Sequence, residues 1–144
     1  MTGVQTCALP IYAFLMNVDR TARNTNMLLW QKELWLIDHG ASLYFHHNWE
    51  HWKEQSVKPF TQIKDHVLLL QASALEEVDR SMKQVLNKQV IDSIVALIPE
   101  EWITATFPES AETVRSTYSE FLQLRLESSE IFVKQALYAR ASII

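Results

Sequence analysis

Apolar residues in the second half of this chain recur at intervals of three and four, which is the spacing of one face of an α-helix. Leu75, Val78 and Met82 follow this rule, and the pattern stops at Pro99 and restarts after Pro108. Acidic residues follow both prolines, and a proline with acidic neighbours favours the first turn of a helix. The periodicity predicts a mainly α-helical fold, with helices or helix starts at 63–70, 75–86, 91–98, 99–102 and 109–142.

A short polar loop and two apolar segments precede these helices. Residues 17–23 are polar, whereas residues 27–30 and 34–37 are apolar and flank a polar connection of three residues. Short apolar runs around a polar connection predict a β-hairpin. Residues 41–60 are rich in aromatic side chains, and we expect them to be irregular because a proline near their end opposes a continuous helix.

Three polar side chains in the loop and hairpin have the chemistry of a phosphate and metal site. Asp19 precedes Asn24 by five positions, and Asp38 opens an Asp-x-Gly at the end of the second apolar segment. An Asp beside an acceptor hydroxyl can orient it and take its proton, and amide and carboxylate oxygens suit Mg²⁺. Arg20 could hold phosphate oxygens or brace the loop. Gly40 could adopt a positive φ or permit close approach of a ligand.

The combination of spacing, hairpin and Asp-x-Gly is more specific than any one of these residues, because Asp and Asn are common in turns. The stretches FLMNVDRTARNTNMLLW (14–30) and LWLIDHGASLYFHHNW (34–49) resemble the C-terminal lobe of HipA-like kinases. Those are bacterial proteins with a protein-kinase-like fold. The resemblance is strong over residues 12–52 and continues more loosely to the helical end of the chain.

The resemblance implies that residues 12–144 form the mainly α C-terminal lobe of a protein-kinase-like fold, in which one short β-hairpin carries the metal-binding Asp. It also implies ATP and Mg²⁺ as cofactors. The implied metal ligands are Asn24 and Asp38. The implied nucleotide-binding residues are Asn24, Asp38, His39 and Gly40. The implied catalytic residues are Asp19 and Arg20.

Two features depart from the kinase pattern. His39 stands where eukaryotic kinases have Phe, so regulation through that Phe is not implied. The phosphate-binding loop, the strand Lys and its Glu partner do not occur in these 144 residues.

The first eleven residues, MTGVQTCALPI, match the translation of a common sequencing-adapter oligonucleotide at every position. We therefore expect residues 1–11 to be non-native, the native chain to extend upstream of Tyr12, and residues 12–16 to end a helix that starts earlier. A secretory leader is the alternative for this apolar stretch. Such leaders begin with positive charge, and no Lys or Arg precedes Arg20.

Composition limits the classes of partner. A net charge of -4 argues against nucleic acid, which requires a basic surface, and no apolar run is long enough for a membrane span. Beyond residues 1–11 the chain has no cysteine, which excludes disulfides there and favours a reducing cytoplasm. The expected partners are a nucleotide and an acceptor whose class the residues do not give, a protein being one option. The residues also do not show whether an antitoxin-type protein is a partner.

Three histidines form a second candidate site. His47 and His51 are four residues apart and would share one face of a helix, which suits zinc, with His46 beside them. The alternative is that these imidazoles and the neighbouring Trp49 and Trp52 cover the floor of a cleft.

Two functions are therefore open. The first is a phosphotransferase, of which this chain is the catalytic C-terminal lobe; alone it is expected to be inactive, because catalysis of this kind depends on positioning. The second is a non-catalytic pseudokinase or helical protein-interaction module. The helical second half and the His39 departure favour the second.

Overall fold

Seven α-helices and one two-stranded hairpin make up the computed structural model, which describes residues 2–143. The helices are α1 (Thr2–Phe14), α2 (Trp52–Ser56), α3 (Leu75–Val85), α4 (Lys88–Val95), α5 (Glu100–Thr104), α6 (Ala111–Glu127) and α7 (Ser129–Ala141). The strands are β1 (Met27–Trp30) and β2 (Glu33–Leu36), and two 3₁₀ segments cover Tyr44–His51 and Thr61–Asp65. The predicted mainly α architecture with one short hairpin is confirmed.

Helix α1 runs through the predicted boundary between residues 11 and 12 without a break. It ends at Phe14, within the segment where a helix end was predicted, and Met16 follows with a φ of 52°. Leu9 and Ala13 on this helix are buried in the main core, which they share with α3, α4, α6 and α7. The non-native origin of residues 1–11 stays a prediction.

Aromatic packing and one buried cation hold the centre of the molecule. Phe45 stacks on Phe121 with ring centroids 3.8 Å apart, and both side chains are fully buried. Close beside them, the Arg125 side chain on α6 is 1% exposed and lies with its guanidinium carbon 4.8 Å from the Phe132 ring centroid. Its nitrogens donate to main-chain oxygens of Ala13, Phe14, Ser56 and Lys58. The Arg125 side chain therefore connects the end of α1 to the end of α2 and the residues just after it.

The helices of the second half begin largely where the sequence predicts. Asn87 and Ser110 cap α4 and α6, since each side chain accepts a hydrogen bond from the main-chain N–H three residues later. Pro99 is the N-cap of α5. The single last helix predicted for 109–142 is wrong, because the chain breaks at Ser128 into α6 and α7. A Ser pair can bend a helix, and the bend lets α6 pack on α2 and α4 while α7 packs on α1 and α3.

Two further local predictions are corrected. No α-helix forms over 63–70, where the 3₁₀ segment is followed by turns. The reason is tertiary: the Val67 N–H donates to Arg20 O at 2.8 Å, and His66 forms an isolated β-bridge with Thr21. Residues 41–60, expected to be irregular, contain the other 3₁₀ segment and α2, which ends before the proline.

The hairpin has a tighter turn than predicted. Trp30 pairs with Glu33, so the connection is the two residues Gln31 and Lys32, with φ values of 49° and 67°. Positive φ at both positions matches the right-handed twist of the strands. Glu33, predicted to be in the connection, therefore belongs to β2. Within residues 2–143, no helix combines the length and the apolar character needed to cross a membrane.

Candidate functional site

The predicted catalytic loop follows α1 and is fastened to the segment after the hairpin. Asn17 is 2% exposed, and its amide nitrogen donates to the Ser42 hydroxyl at 2.8 Å. Its amide oxygen accepts from the Asp19 N–H at 3.1 Å. Because Ser42 lies just beyond the Asp-x-Gly, this side chain links both parts of the predicted site.

The Asp19 carboxylate is held by two asparagines. Asn24 Nδ2 donates to Asp19 Oδ2 at 2.8 Å, and Asn26 Nδ2 donates to the same oxygen at 3.1 Å. Asn26 also donates to the Asp19 carbonyl at 2.9 Å. The other carboxylate oxygen, Oδ1, has no hydrogen-bond donor among the side chains of residues 8–143 or the main chain of residues 2–143, so within that part of the protein it is free to accept a proton or a hydroxyl hydrogen. The five-residue spacing from Asp19 to Asn24 thus corresponds to a direct contact.

Arg20 braces the loop against the hairpin. It is 1% exposed, and Nη2 donates to Ile37 O at 2.7 Å and to Asp38 O at 3.2 Å, while Nη1 donates to Asn26 O. Both Nη groups are therefore committed to main-chain oxygens inside the protein. Of the two roles that the sequence left open, bracing is the one that this geometry has, and holding phosphate oxygens is not. Since Arg20 directly follows Asp19, the brace brings Asp19 and Asp38 into one region.

The Asp38-His39-Gly40 segment departs from expectation in its backbone. Asp38, not Gly40, has the positive φ, at 51°. Short polar side chains tolerate this conformation, and here Asp38 Oδ1 accepts from the Gly40 N–H at 3.3 Å. A Cβ added at Gly40 would make an ordinary contact, 3.4 Å from Asp38 Oδ1. The fold itself therefore does not require glycine at position 40.

The free side-chain oxygens of Asn24 and Asp38 are of the chemical kind that Mg²⁺ prefers. Asn24 uses its amide nitrogen on Asp19, which leaves its oxygen available, and Asp38 Oδ2 has no donor within the described part of the chain. Both residues are exposed. Among the side chains of residues 8–143, no group of three or more His, Cys, Asp or Glu is arranged to hold a metal ion. Mg²⁺ commonly takes only one or two protein ligands and completes its shell with water and phosphate oxygens, so a site of that kind would not form such a group.

The predicted histidine site does not form as a group of three in the described residues. His46 Nε2 lies 3.0 Å from His47 Nε2, whereas His51 is next to Glu54 with a nitrogen–oxygen distance of 3.8 Å. Partial burial, together with the neighbouring His47, lowers the pKa of His46. The predicted pairing of His47 with His51 is replaced by contact between adjacent residues.

Tyr12 and His66 are site neighbours that the sequence did not identify. The Tyr12 hydroxyl lies 3.2 Å from His39 Nε2, and its ring faces the His66 ring at 5.7 Å. Burial, together with the positive charge of Arg20, lowers the pKa of His66 to about 4, so its imidazole is neutral at pH 7. The Leu68 N–H donates to His66 Nδ1 at 3.1 Å, so the neutral ring carries its proton on Nε2. The His66 side chain is buried.

Sequence spacing gives no signal for this cluster, because Tyr12 and His39 are 27 residues apart and on different elements. The assembled region contains the half-buried Asp19 carboxylate, which has one free oxygen. The exposed side-chain oxygens of Asn24 and Asp38 belong to the same region, whose backbone Arg20 supports. No family model, curated protein or solved structure matches this chain.

Proposed function

We propose that this chain carries the catalytic loop and the metal-binding segment of an ATP- and Mg²⁺-dependent phosphotransferase of the HipA-like kind. In this proposal residues 12–144 are the C-terminal lobe of a protein-kinase-like fold. The observation that carries it is the pairing of two contacts. Asn24 orients the Asp19 carboxylate, and Arg20 joins that loop to the backbone of Asp38.

Each residue has a distinct role in the proposed reaction. Asp19 presents its free oxygen to the acceptor hydroxyl and orients it; it accepts the hydroxyl proton as the bond from the acceptor oxygen to the γ-phosphorus forms and the bond from that phosphorus to ADP breaks, so that ADP leaves. Asn24 and Asp38 would hold Mg²⁺, which when bound neutralises negative charge on the phosphate oxygens. His39 and Gly40 follow Asp38 in the chain and would lie beside the nucleotide. Arg20 supports the site from inside the protein, since its buried guanidinium donates to the carbonyl oxygens of Ile37 and Asp38.

The proposal makes the 144-residue chain a metal-binding but catalytically silent unit. Its sequence contains no phosphate-binding loop and no strand Lys, the parts that grip the nucleotide in kinases. Catalysis of phosphoryl transfer is mostly positioning, so without those parts turnover is expected to be negligible. A cytoplasmic location and an acceptor of unknown class belong to the same proposal.

The first experiment measures metal binding by the chain itself. Mn²⁺ replaces Mg²⁺ and broadens NMR signals of nearby nuclei, so the amides of Asn24 and Asp38 are expected to lose intensity first. Asp38→Asn should weaken this binding, whereas Glu101→Gln, an exposed carboxylate on α5, should leave it unchanged. Equal broadening in the wild-type chain and in Asp38→Asn would remove Asp38 from the metal site.

The second experiment uses the product of the complete gene. Asp19→Asn is expected to lower phosphate transfer by about 10² or more, because the proton acceptor is lost while the shape of the side chain is kept. Full transfer activity in Asp19→Asn would overturn the catalytic assignment.

A non-catalytic interaction module is the second candidate, and one observation favours it. The hairpin exposes large apolar side chains, with Leu29 69%, Trp30 59% and Trp35 50% exposed. Apolar groups concentrated on one element are typical of surfaces that bind another protein. A complete gene product that binds no magnesium nucleotide, and whose partner is lost on Trp30→Ser, would favour this candidate over the enzyme.

A further inference from the structure

Tyr12 packs against one cationic and two imidazole side chains, and one of these, His39, is next to the proposed metal ligand Asp38 in the chain. Its side chain is 1% exposed. The Arg20 guanidinium carbon is 4.2 Å from its ring centroid, and the His66 ring lies at 5.7 Å. The His39 ring is stacked at 6.0 Å with an interplanar angle of 22°. The Tyr12 ring is therefore held by packing, and its orientation fixes the direction of its hydroxyl.

Among the side chains of residues 8–143, the hydroxyl of Tyr12 has one hydrogen-bond partner, which is His39 Nε2 at 3.2 Å. Burial raises the pKa of Tyr12, so the phenol keeps its proton. When His39 Nε2 carries no proton, the phenol O–H donates a hydrogen bond to it, and His39 then carries its own proton on Nδ1. In that arrangement the contact holds one tautomer and one ring orientation of an otherwise exposed side chain.

The backbone between these contacts needs support. Asp38 adopts a φ of 51°, in the left-handed region that residues other than glycine rarely occupy. Arg20 holds the carbonyls of Ile37 and Asp38, which is the side before His39. Tyr12 holds the side chain of His39, the residue that follows Asp38. The two supports contact each other, because Arg20 lies on the Tyr12 ring.

We propose that Tyr12 is a positioning residue for Asp38, and that it acts through its hydrogen bond to His39. This inference rests on the proposed function as far as Asp38 is a metal ligand. The hydroxyl holds His39 on one side, Arg20 holds the preceding carbonyls on the other, and together they keep the Asp38 carboxylate directed at the metal position.

The decisive variant is Tyr12→Phe, which keeps the ring and its packing on Arg20 and His66 and removes only the hydroxyl. Tyr138→Phe on α7 is the matched control, since Tyr138 is 75% exposed. Two NMR readouts need no metal: the ¹⁵N shifts of His39, which report its tautomer, and the backbone shifts of Asp38, which report its φ. We expect a single Nδ1–H tautomer in the wild-type chain and a mixture with altered Asp38 shifts in Tyr12→Phe.

Mn²⁺ binding to the same samples gives the link to function. Loss of one hydrogen bond is expected to weaken Mn²⁺ binding roughly two- to tenfold in Tyr12→Phe. His39→Gln, whose amide oxygen can still accept from the phenol, should retain more binding than His39→Ala. Combining Tyr12→Phe with His39→Ala should weaken binding no further than His39→Ala alone, because both changes break one contact.

The outcomes separate this inference from the proposed function. Unchanged His39 and Asp38 shifts in a folded Tyr12→Phe variant would overturn the positioning role, whatever the metal does. Shifts that change as expected in a chain that binds no Mn²⁺ would support the positioning of Asp38 and refute the proposed metal site.

Discussion

Replacing Arg125 by Met tests how the core supports the loop. The four main-chain oxygens that Arg125 binds lie at 2.7 to 3.1 Å from its nitrogens. Two of them end α1, immediately before the loop, and the others end α2. Met has a similar length and no donor, so it can fill the space but cannot satisfy those oxygens. We therefore expect Arg125→Met to lower the free energy of unfolding strongly.

The magnitude follows from counting the oxygens left without a donor. Ala13 O also accepts from the Met16 N–H, so it keeps one partner. The oxygens of Phe14, Ser56 and Lys58 are left with no other main-chain donor in the described residues. At about 1–2 kcal/mol each, the loss is roughly 3–6 kcal/mol, which is a large part of the stability of a domain of this size.

The assay is urea unfolding followed by circular dichroism, with the slope checked for constancy. Arg115→Met is the matched control, because Arg115 lies on the same helix and donates to a single carbonyl, Ile98 O at 2.8 Å. We expect a loss of about 1 kcal/mol there. If Arg125→Met lost no more stability than Arg115→Met, the idea that this guanidinium holds both helix ends would be refuted.

Four smaller changes test other parts of the structure. His66 has a pKa near 4 when folded and an ordinary value of 6.5, so the unfolded chain binds more protons between these values and stability falls as pH drops from 6.5 to 4. The loss is about 3 kcal/mol, and His66→Asn should flatten it in urea titrations at several pH values. Replacing Gln31 by Asn and Lys32 by Gly should raise the melting temperature, since both turn positions have positive φ; a lower value would contradict the turn assignment. Ser110→Ala should cost about 1 kcal/mol in urea unfolding through loss of the α6 cap, and no change would exclude that cap. Gly40→Ala should leave the melting temperature near the wild-type value, and a large drop would show a backbone requirement that the geometry lacks.

The parts of the fold that follow local rules could be predicted from the sequence. Helices α3 and α4 show their apolar spacing directly, and the hairpin shows its two apolar runs. Caps and prolines mark the starts of α4, α5 and α6. These features depend on neighbours within about four residues, which is the range that a pattern can report.

The parts that depend on distant partners could not be predicted. The break at Ser128 goes with a change of packing partners, since α6 packs mainly on α2 and α4 and α7 on α1 and α3. Residues 63–70 have a helical pattern, yet a main-chain bond to Arg20 holds them in another conformation. For the candidate site, the spacing of Asp19 and Asn24 pointed to these two residues, and their direct contact is seen only in the structure. The choice between the two roles of Arg20, and the contact of Tyr12 with His39, required the assembled molecule.

Left-handed backbone is concentrated in one part of the chain. Among residues 2–143, the non-glycine residues with clearly positive φ are Met16, Asn26, Gln31, Lys32, Asp38 and Leu43. All lie between positions 16 and 43, where the loop and hairpin are. A selection for thermal stability alone would therefore find its easiest gains there, through glycine or asparagine at these positions. Variants selected in that way would be more stable, but their glycines would no longer show which side-chain contacts hold the loop of the present chain in its conformation.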